Sequence, residues 1–510
     1  MGRHSTHLLT VTARSVALAL GAAAAGSLFV GSGCGGAIAS EPPPADAGVF
    51  DAPPTPTARP DAGPPPKPDA GVPEDDDPWM KGDPGPTTPA TVIELGSVPA
   101  NGKATFEIKP GALGFNVTGA MNGEDFGIKD IESPSGQLVH KDSIPHNGDH
   151  DTSSTLFGEI AAAGVPQSNH PKAMPAIESG TWGVTFRAPG PVATTVFVQN
   201  TPDGAFHGGA LDIHVHLPDG LDVEGDTVSK NHYKRVAGIR DRIDAFAEAI
   251  RDLYGLTRGD VTFHLVASRY QEIDDDELAD AFALSKVATG HQALHVVFSQ
   301  ASRDQQWWGI AGGIPGTPRT GTSQSAIALA MDDRADALME GYVLAHEAGH
   351  FMGLSHTTEF ENRGYDPLED TPQCPNMTFN NFPSCPDYTN VMAAAGALTR
   401  ATKVSPLQRR VVQGSPLYRA FVSGDPPPPK NARAAPDFGK LFGHPGVPPT
   451  AAEAVVLASL CGHVSAGRVV AYARAGVPDA ELRRIADDAA AAPSVRRAAA
   501  RLLRAAPKTR

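Results

Sequence analysis

The most constraining stretch of this chain is eleven residues long: His346-Glu347-Ala348-Gly349-His350-Phe351-Met352-Gly353-Leu354-Ser355-His356. Residues 335–352 read as a helix opened by Asp332-Asp333, and residues four apart on a helix share a face. His346 and His350 therefore project together, at a spacing that suits two ligands of a tetrahedral zinc ion. Gly353 allows a helix-ending left-handed turn, which swings the chain back so that His356 supplies a third nitrogen. Three neutral imidazoles leave such an ion its full charge and an open fourth position. Glu347, next to His346, can reach a water held there.

The segments around this helix alternate in type. Residues 211–217, 261–266 and 294–298 are apolar runs of strand length, and residues 307–314 and 326–331 are two further strand candidates around a Gly-rich stretch. Between them, residues 233–254 carry Val236, Ile239, Ile243, Phe246 and Ile250 at three- and four-residue steps, the spacing of an amphipathic helix; residues 274–287 predict a second. His214, His216, His264 and His295 fall within strands and read as structural. Residues 208–424 thus predict an α/β domain with a mixed sheet and a site-bearing helix.

Residues 91–207 have a different rhythm. Short period-two runs at 104–108, 114–117, 182–186 and 194–198 are broken by Gly, Pro, Asn and Asp, which predicts an all-β sandwich. Before it, residues 41–90 are rich in Pro, Ala and Asp, with too few large apolar residues to offset chain entropy; they predict an extended tether. Ten acids and only three bases fall there, so nearly half of the net charge of −15 belongs to the tether and not to a binding face. That balance argues against a general nucleic-acid partner. A Pro-rich linker at 425–447 leads to residues 448–510, a small α-helical segment with helices predicted at 451–475, which includes Cys461, and at 479–503, the second broken near Pro493. The chain is therefore multidomain.

At the N-terminus, Arg3, His4, His7 and Arg14 precede an apolar run at 16–30, the pattern of an export signal within residues 1–40. Val30-Gly31-Ser32-Gly33-Cys34 resembles a bacterial lipoprotein box, which implies lipidation of Cys34 and attachment to an outer membrane or the cell surface; Gly31 departs from the usual aliphatic residue. Ala37-Ile38-Ala39 offers ordinary signal cleavage and secretion instead.

The central motif resembles that of the metzincin zinc endopeptidases: two His on a helix, a Gly, a third His, and a downstream Met-turn. Asn390-Val391-Met392 looks like that turn. The stretches Glu369-Asp370-Thr371-Pro372-Gln373-Cys374, Cys385-Pro386-Asp387 and Val404-Ser405-Pro406-Leu407-Gln408 are similar to the pappalysin-type branch. The resemblance covers roughly residues 211–422. It implies one catalytic zinc on His346, His350 and His356, Glu347 as general base, Met392 as an apolar floor, and a protein or peptide substrate paired along residues 307–314. One departure stands out: the Tyr that the family often carries two positions after the Met is Ala394 here, while Tyr388 lies before it.

Cys374 and Cys385 are close in sequence in an exported chain and predict a disulfide, worth about 3 kcal/mol by loop-closure entropy. Asp366, Glu369 and Asp370 offer carboxylates for a calcium ion, or form a solvated loop. Hydrolysis of peptide bonds is the functional expectation. The alternative is a surface-anchored binding protein whose sandwich recognises protein or carbohydrate and whose metal is structural. Glu347 weighs against it, since a structural site has no use for a carboxylate beside an open ligand position.

Overall fold

The computed structural model describes residues 77–82, 85–121, 126–141, 159–167, 177–274, 277–288, 292–300, 307–332, 334–358, 366, 368–374, 384–393, 403–426, 437–463 and 477–504. Cys34, its flanking segments and Ala394 lie outside them.

The period-two runs near the N-terminus form two four-stranded antiparallel sheets. One is ordered Thr91–Val98, Val192–Asn200, Ala112–Ala120, Ile160–Val165; the other Lys103–Ile108, Gly180–Arg187, Gly127–Glu132, Leu138–Lys141. Their alternate residues meet in one apolar cluster, with Phe115 edge-on to Phe106 and Trp182 at ring-centroid distances of 5.4 and 4.9 Å. The Trp182 indole N–H donates to the Glu178 carbonyl at 2.8 Å, so its one polar atom is satisfied. Buried polar residues of the first sheet point away from that cluster and hold it to the rest of the chain: the Asn116 amide donates to the Gly316 carbonyl at 3.3 Å and the Gln199 amide to the Tyr418 carbonyl at 2.8 Å.

The α/β part is built on an eight-stranded mixed sheet. Its path runs Thr87–Thr88, Arg419–Phe421, Gly209–Pro218, Leu294–Gln300, Ile327–Met331, Gly309–Ala311, Cys461–His463, with Leu256–Val266 parallel to Gly209–Pro218. The central strands are buried on both sides because both sides are covered. Val296, Phe298, Ile327 and Leu329 join the core that holds the two long helices, whereas Val297, Ala328 and Ala330 face Leu278 and Phe282 on the other side. Helices Ala237–Tyr254 and Ala337–Phe351 lie against each other, and Gly341 makes their close approach: a Cβ there would fall 2.6 Å from that of Ala245.

Several boundaries differ from the sequence expectation. The site helix begins at Ala337, because Asp336, not Asp332, caps it by accepting from the Met339 N–H at 3.0 Å; Asp333 lies outside the described residues. The first long helix begins at Ala237, since Val236 is extended and Tyr233–Arg235 forms a separate 3₁₀ turn. Within 274–287 the described residues form Leu278–Phe282 and a 3₁₀ turn at Ala283–Val287. Part of the expected tether is folded onto the body: Trp79 stacks on Phe263, with the Arg240 and Arg258 guanidiniums over its ring at 4.8 and 4.5 Å.

The C-terminal segment departs most. Its first helix stops at Ala458, and Cys461–His463 becomes a strand of the main sheet instead of more helix. Helices Asp479–Asp487 and Pro493–Arg504 follow, and Val455, Leu482 and Leu502 share the core of the site helix. Among the described residues no helix is long and apolar enough to cross a membrane.

Candidate metal centre

The site helix ends in the way its sequence requires. Gly353 takes φ +108°, its N–H bonds the His350 carbonyl and the Leu354 N–H bonds the Gly349 carbonyl, both at 2.9 Å. This pair of bonds closes a Schellman turn and reverses the chain. His356 is thereby brought to the two helical histidines. The three Nε2 atoms lie 3.1, 3.1 and 3.2 Å from one another, and all three residues are fully buried.

Hydrogen bonding fixes which ring nitrogens carry protons. Nδ1 of His346 lies 2.6 Å from the Val391 carbonyl and Nδ1 of His350 lies 2.7 Å from the Leu354 carbonyl. A carbonyl only accepts, so each Nδ1 is the donor and each Nε2 presents a lone pair inward. Lone pairs facing one another at this distance repel unless a cation lies among them. Tetrahedral zinc with nitrogen ligands at about 2.0–2.1 Å sets those nitrogens roughly 3.3 Å apart, close to the spacing here. Burial also pushes the His356 imidazole down to about 3, which keeps it in the neutral, ligating form. The donor set fits the ion.

Glu347 follows His346 on the helix and is fully buried, and neither carboxylate oxygen has a hydrogen-bond partner among the described residues. Burial pushes its carboxyl well above the usual range. A divalent cation held by the adjacent imidazoles opposes that shift, because it favours the ionised form.

Met392 is fully buried beneath the helix, and a Cβ on Gly349 would come 2.7 Å from its sulfur. The turn is braced twice. The Met392 N–H donates to Asn390 Oδ1 at 2.9 Å, and the Met392 carbonyl accepts from Thr357 next to the third histidine, also at 2.9 Å. Cys374 and Cys385 form a disulfide. Tyr388 is buried nearby.

The three acids considered for calcium do not converge on one point. Asp366 is fully buried and accepts from the Leu368 N–H and the Gln408 amide, Asp370 accepts from the Leu407 N–H, and Glu369 is exposed. Among the described residues they form no group of converging ligand atoms.

Three residues make contacts at the site that the sequence did not give, although Gly309 and Gln408 fall in stretches it singled out. Tyr254, the last residue of the first long helix, donates its hydroxyl to the Ala345 carbonyl at 3.0 Å from beneath the site. Gly309 lies against Glu347. Gln408 ties the site's two return segments together: it accepts from the Asn390 amide at 2.7 Å and donates to Asp366, whose N–H bonds the His356 carbonyl. Its signal was the Ser405-Pro406-x-Gln408 capping box, in which Ser405 and Gln408 bond each other's backbone N–H.

No protein-family model matches this chain, and neither does any curated protein sequence. Among solved structures, an archaemetzincin from Methanopyrus kandleri is similar at 14% identity over 41% of this chain and 88% of that one, with a TM-score of 0.21. A chain from a chaperone–substrate complex is similar at 12% identity over 36% of this chain and 33% of its own length, with a TM-score of 0.24. Overlaps this slight leave the function to be argued from the site itself.

Proposed function

We propose that this protein is a zinc-dependent endopeptidase of metzincin type, similar to the pappalysin branch, exported through its N-terminal signal and either secreted or anchored at Cys34. In this reading residues 91–207 are an accessory sandwich and residues 208–424 the peptidase domain. The observation that carries the proposal is the convergence of three buried Nε2 atoms, two of them fixed as lone-pair donors, beside an uncommitted buried carboxylate.

His346, His350 and His356 would hold the zinc, which when bound supplies Lewis acidity toward a carbonyl oxygen and lowers the pKa of a water. Glu347 accepts that water's proton as its oxygen attacks the scissile carbonyl carbon. When the C–N bond breaks, Glu347 passes the same proton to the departing amine. Met392 and Tyr254 hold the floor, so the histidines keep their spacing through both steps. The carbonyls of Val391 and Leu354 orient two of the three rings.

The test is casein cleavage and zinc content of residues 77–510, a boundary that retains the packed Trp79. About one zinc per chain, with cleavage stopped by a chelator and both properties lost in His350→Ala, supports the reading. A chain that binds no zinc refutes it.

A further inference from the structure

The strand that the peptidase reading assigns to substrate, Gly309–Ala311, is already paired. Cys461–His463 runs parallel to it with Gly309, Ile310 and Ala311 opposite Cys461, Gly462 and His463, and the Leu460 carbonyl accepts from the Trp308 N–H at 2.5 Å. Gly309 is also the residue against the Glu347 carboxylate. The segment therefore lies on a sheet edge that adjoins the candidate base. In the same conformation His346, Glu347, His350 and His356 are all fully buried, so no extended chain reaches them.

We propose that Cys461–His463 is an intramolecular strap, which fills the substrate-pairing edge and keeps the site latent until an extended polypeptide displaces it. This inference rests on the peptidase reading. Three features make the strap, and not the whole C-terminal segment, the moving part. Helices Ala451–Ala458, Asp479–Asp487 and Pro493–Arg504 contribute Val455, Leu482 and Leu502 to the main core, so they are anchored. Phe438 packs edge-on to Trp308 at 5.6 Å, and Lys440 pairs with Asp336 at the site helix's N-terminus at 2.7 Å, anchoring the approach to the strap as well. The strap itself is three residues long and parallel, the weaker kind of pairing, with a glycine at its centre. A site closed in most molecules binds substrate with an affinity reduced by the open fraction, so the strap lowers activity without abolishing it.

The test compares the parent residues 77–510 with Gly462→Pro, which removes a ladder donor from the strap. The probe is a fluorescein-labelled peptide of residues 457–467 with Ser in place of Cys461, and binding is read by anisotropy in a Glu347→Gln background so that nothing is cleaved. Gly462→Pro is expected to bind the probe about tenfold more tightly or better, and, with Glu347 restored, to cleave casein about tenfold faster at unchanged zinc content. Probe binding that rises while neither protein cleaves would uphold the strap and count against the peptidase reading. A folded Gly462→Pro with unchanged probe affinity overturns the strap.

A second variant covers the case in which the proline prevents folding. Ala311→Cys with His463→Cys, in a Cys461→Ser background, joins the register partners by a disulfide. The oxidised form should bind the probe at least about tenfold more weakly than the same protein after reduction; equal affinities overturn the proposal.

Discussion

Gly309 has no side chain because Glu347 takes the space one would need: a Cβ at Gly309 would stand 2.7 Å from both Cγ and Oε1 of Glu347, and 2.6 Å from Cγ1 of Val343. The edge strand and the candidate base are therefore in direct contact, and a methyl group between them must move the carboxylate. Gly309→Ala is expected to lower kcat about tenfold or more while zinc stays at one per chain, because the histidines are untouched. Unchanged kcat in a zinc-loaded Gly309→Ala would show that the contact has no catalytic consequence.

The two long helices are joined by a buried ion pair. Nε of Arg242 donates to Glu340 Oε2, and its Nη1 donates to Glu224 and the Gly238 carbonyl at 2.9 and 2.8 Å. Burial outweighs Arg242 and holds the Glu340 carboxyl up at about 7. Arg242→Met leaves that carboxyl buried without its cation and is expected to cost about 3–5 kcal/mol in urea unfolding. Adding Glu340→Gln, which keeps an acceptor for the Asp332 N–H, should recover about half of the loss.

A pH dependence follows from the strand histidines. Their placement in strands was legible, but their meeting was not: His214 bonds His264 at 2.8 Å and His216 bonds His295 at 3.0 Å, on three adjacent parallel strands. Burial, with the neighbouring imidazoles adding to it, pushes fully buried His216 well below 6.5, and burial pushes His264 down too. A base whose pKa falls on folding is protonated first in the unfolded chain. Stability is thus full above about 6.5 and is lost as pH falls from there toward the depressed folded value. Metal-free protein should melt several degrees lower at about pH 5 than at about pH 7.5, and His216→Gln should flatten that slope. Equal slopes in the two proteins would remove His216 from the account.

The convergence of the three histidines was legible because it is local. Two histidines one helical turn apart, a glycine in the reversing turn and a third histidine three residues later need only helix periodicity to be brought together. The alternating runs of the two antiparallel sheets were legible for the same reason. What escaped depends on partners far along the chain. Residues 451–475 have helical composition, yet the helix stops at Ala458 and the chain turns to the free edge at Gly309–Ala311, because pairing there outweighs local propensity. Gln408 and Tyr254 reach the site only through tertiary contacts with Asn390 and Ala345. The acids at 366, 369 and 370 misled in the opposite sense: proximity in sequence suggested shared ligation, whereas Asp366 and Asp370 are each committed to backbone N–H groups.

In the proposed mechanism Glu347 moves the proton while the three histidines hold the metal. The most direct measurement is casein cleavage by zinc-loaded Glu347→Gln beside the parent, with metal content determined on the same samples. About one zinc per chain is expected in both, with a loss of cleavage of at least about a hundredfold in the variant. A fully loaded Glu347→Gln that cleaves at the parent rate would contradict that mechanism.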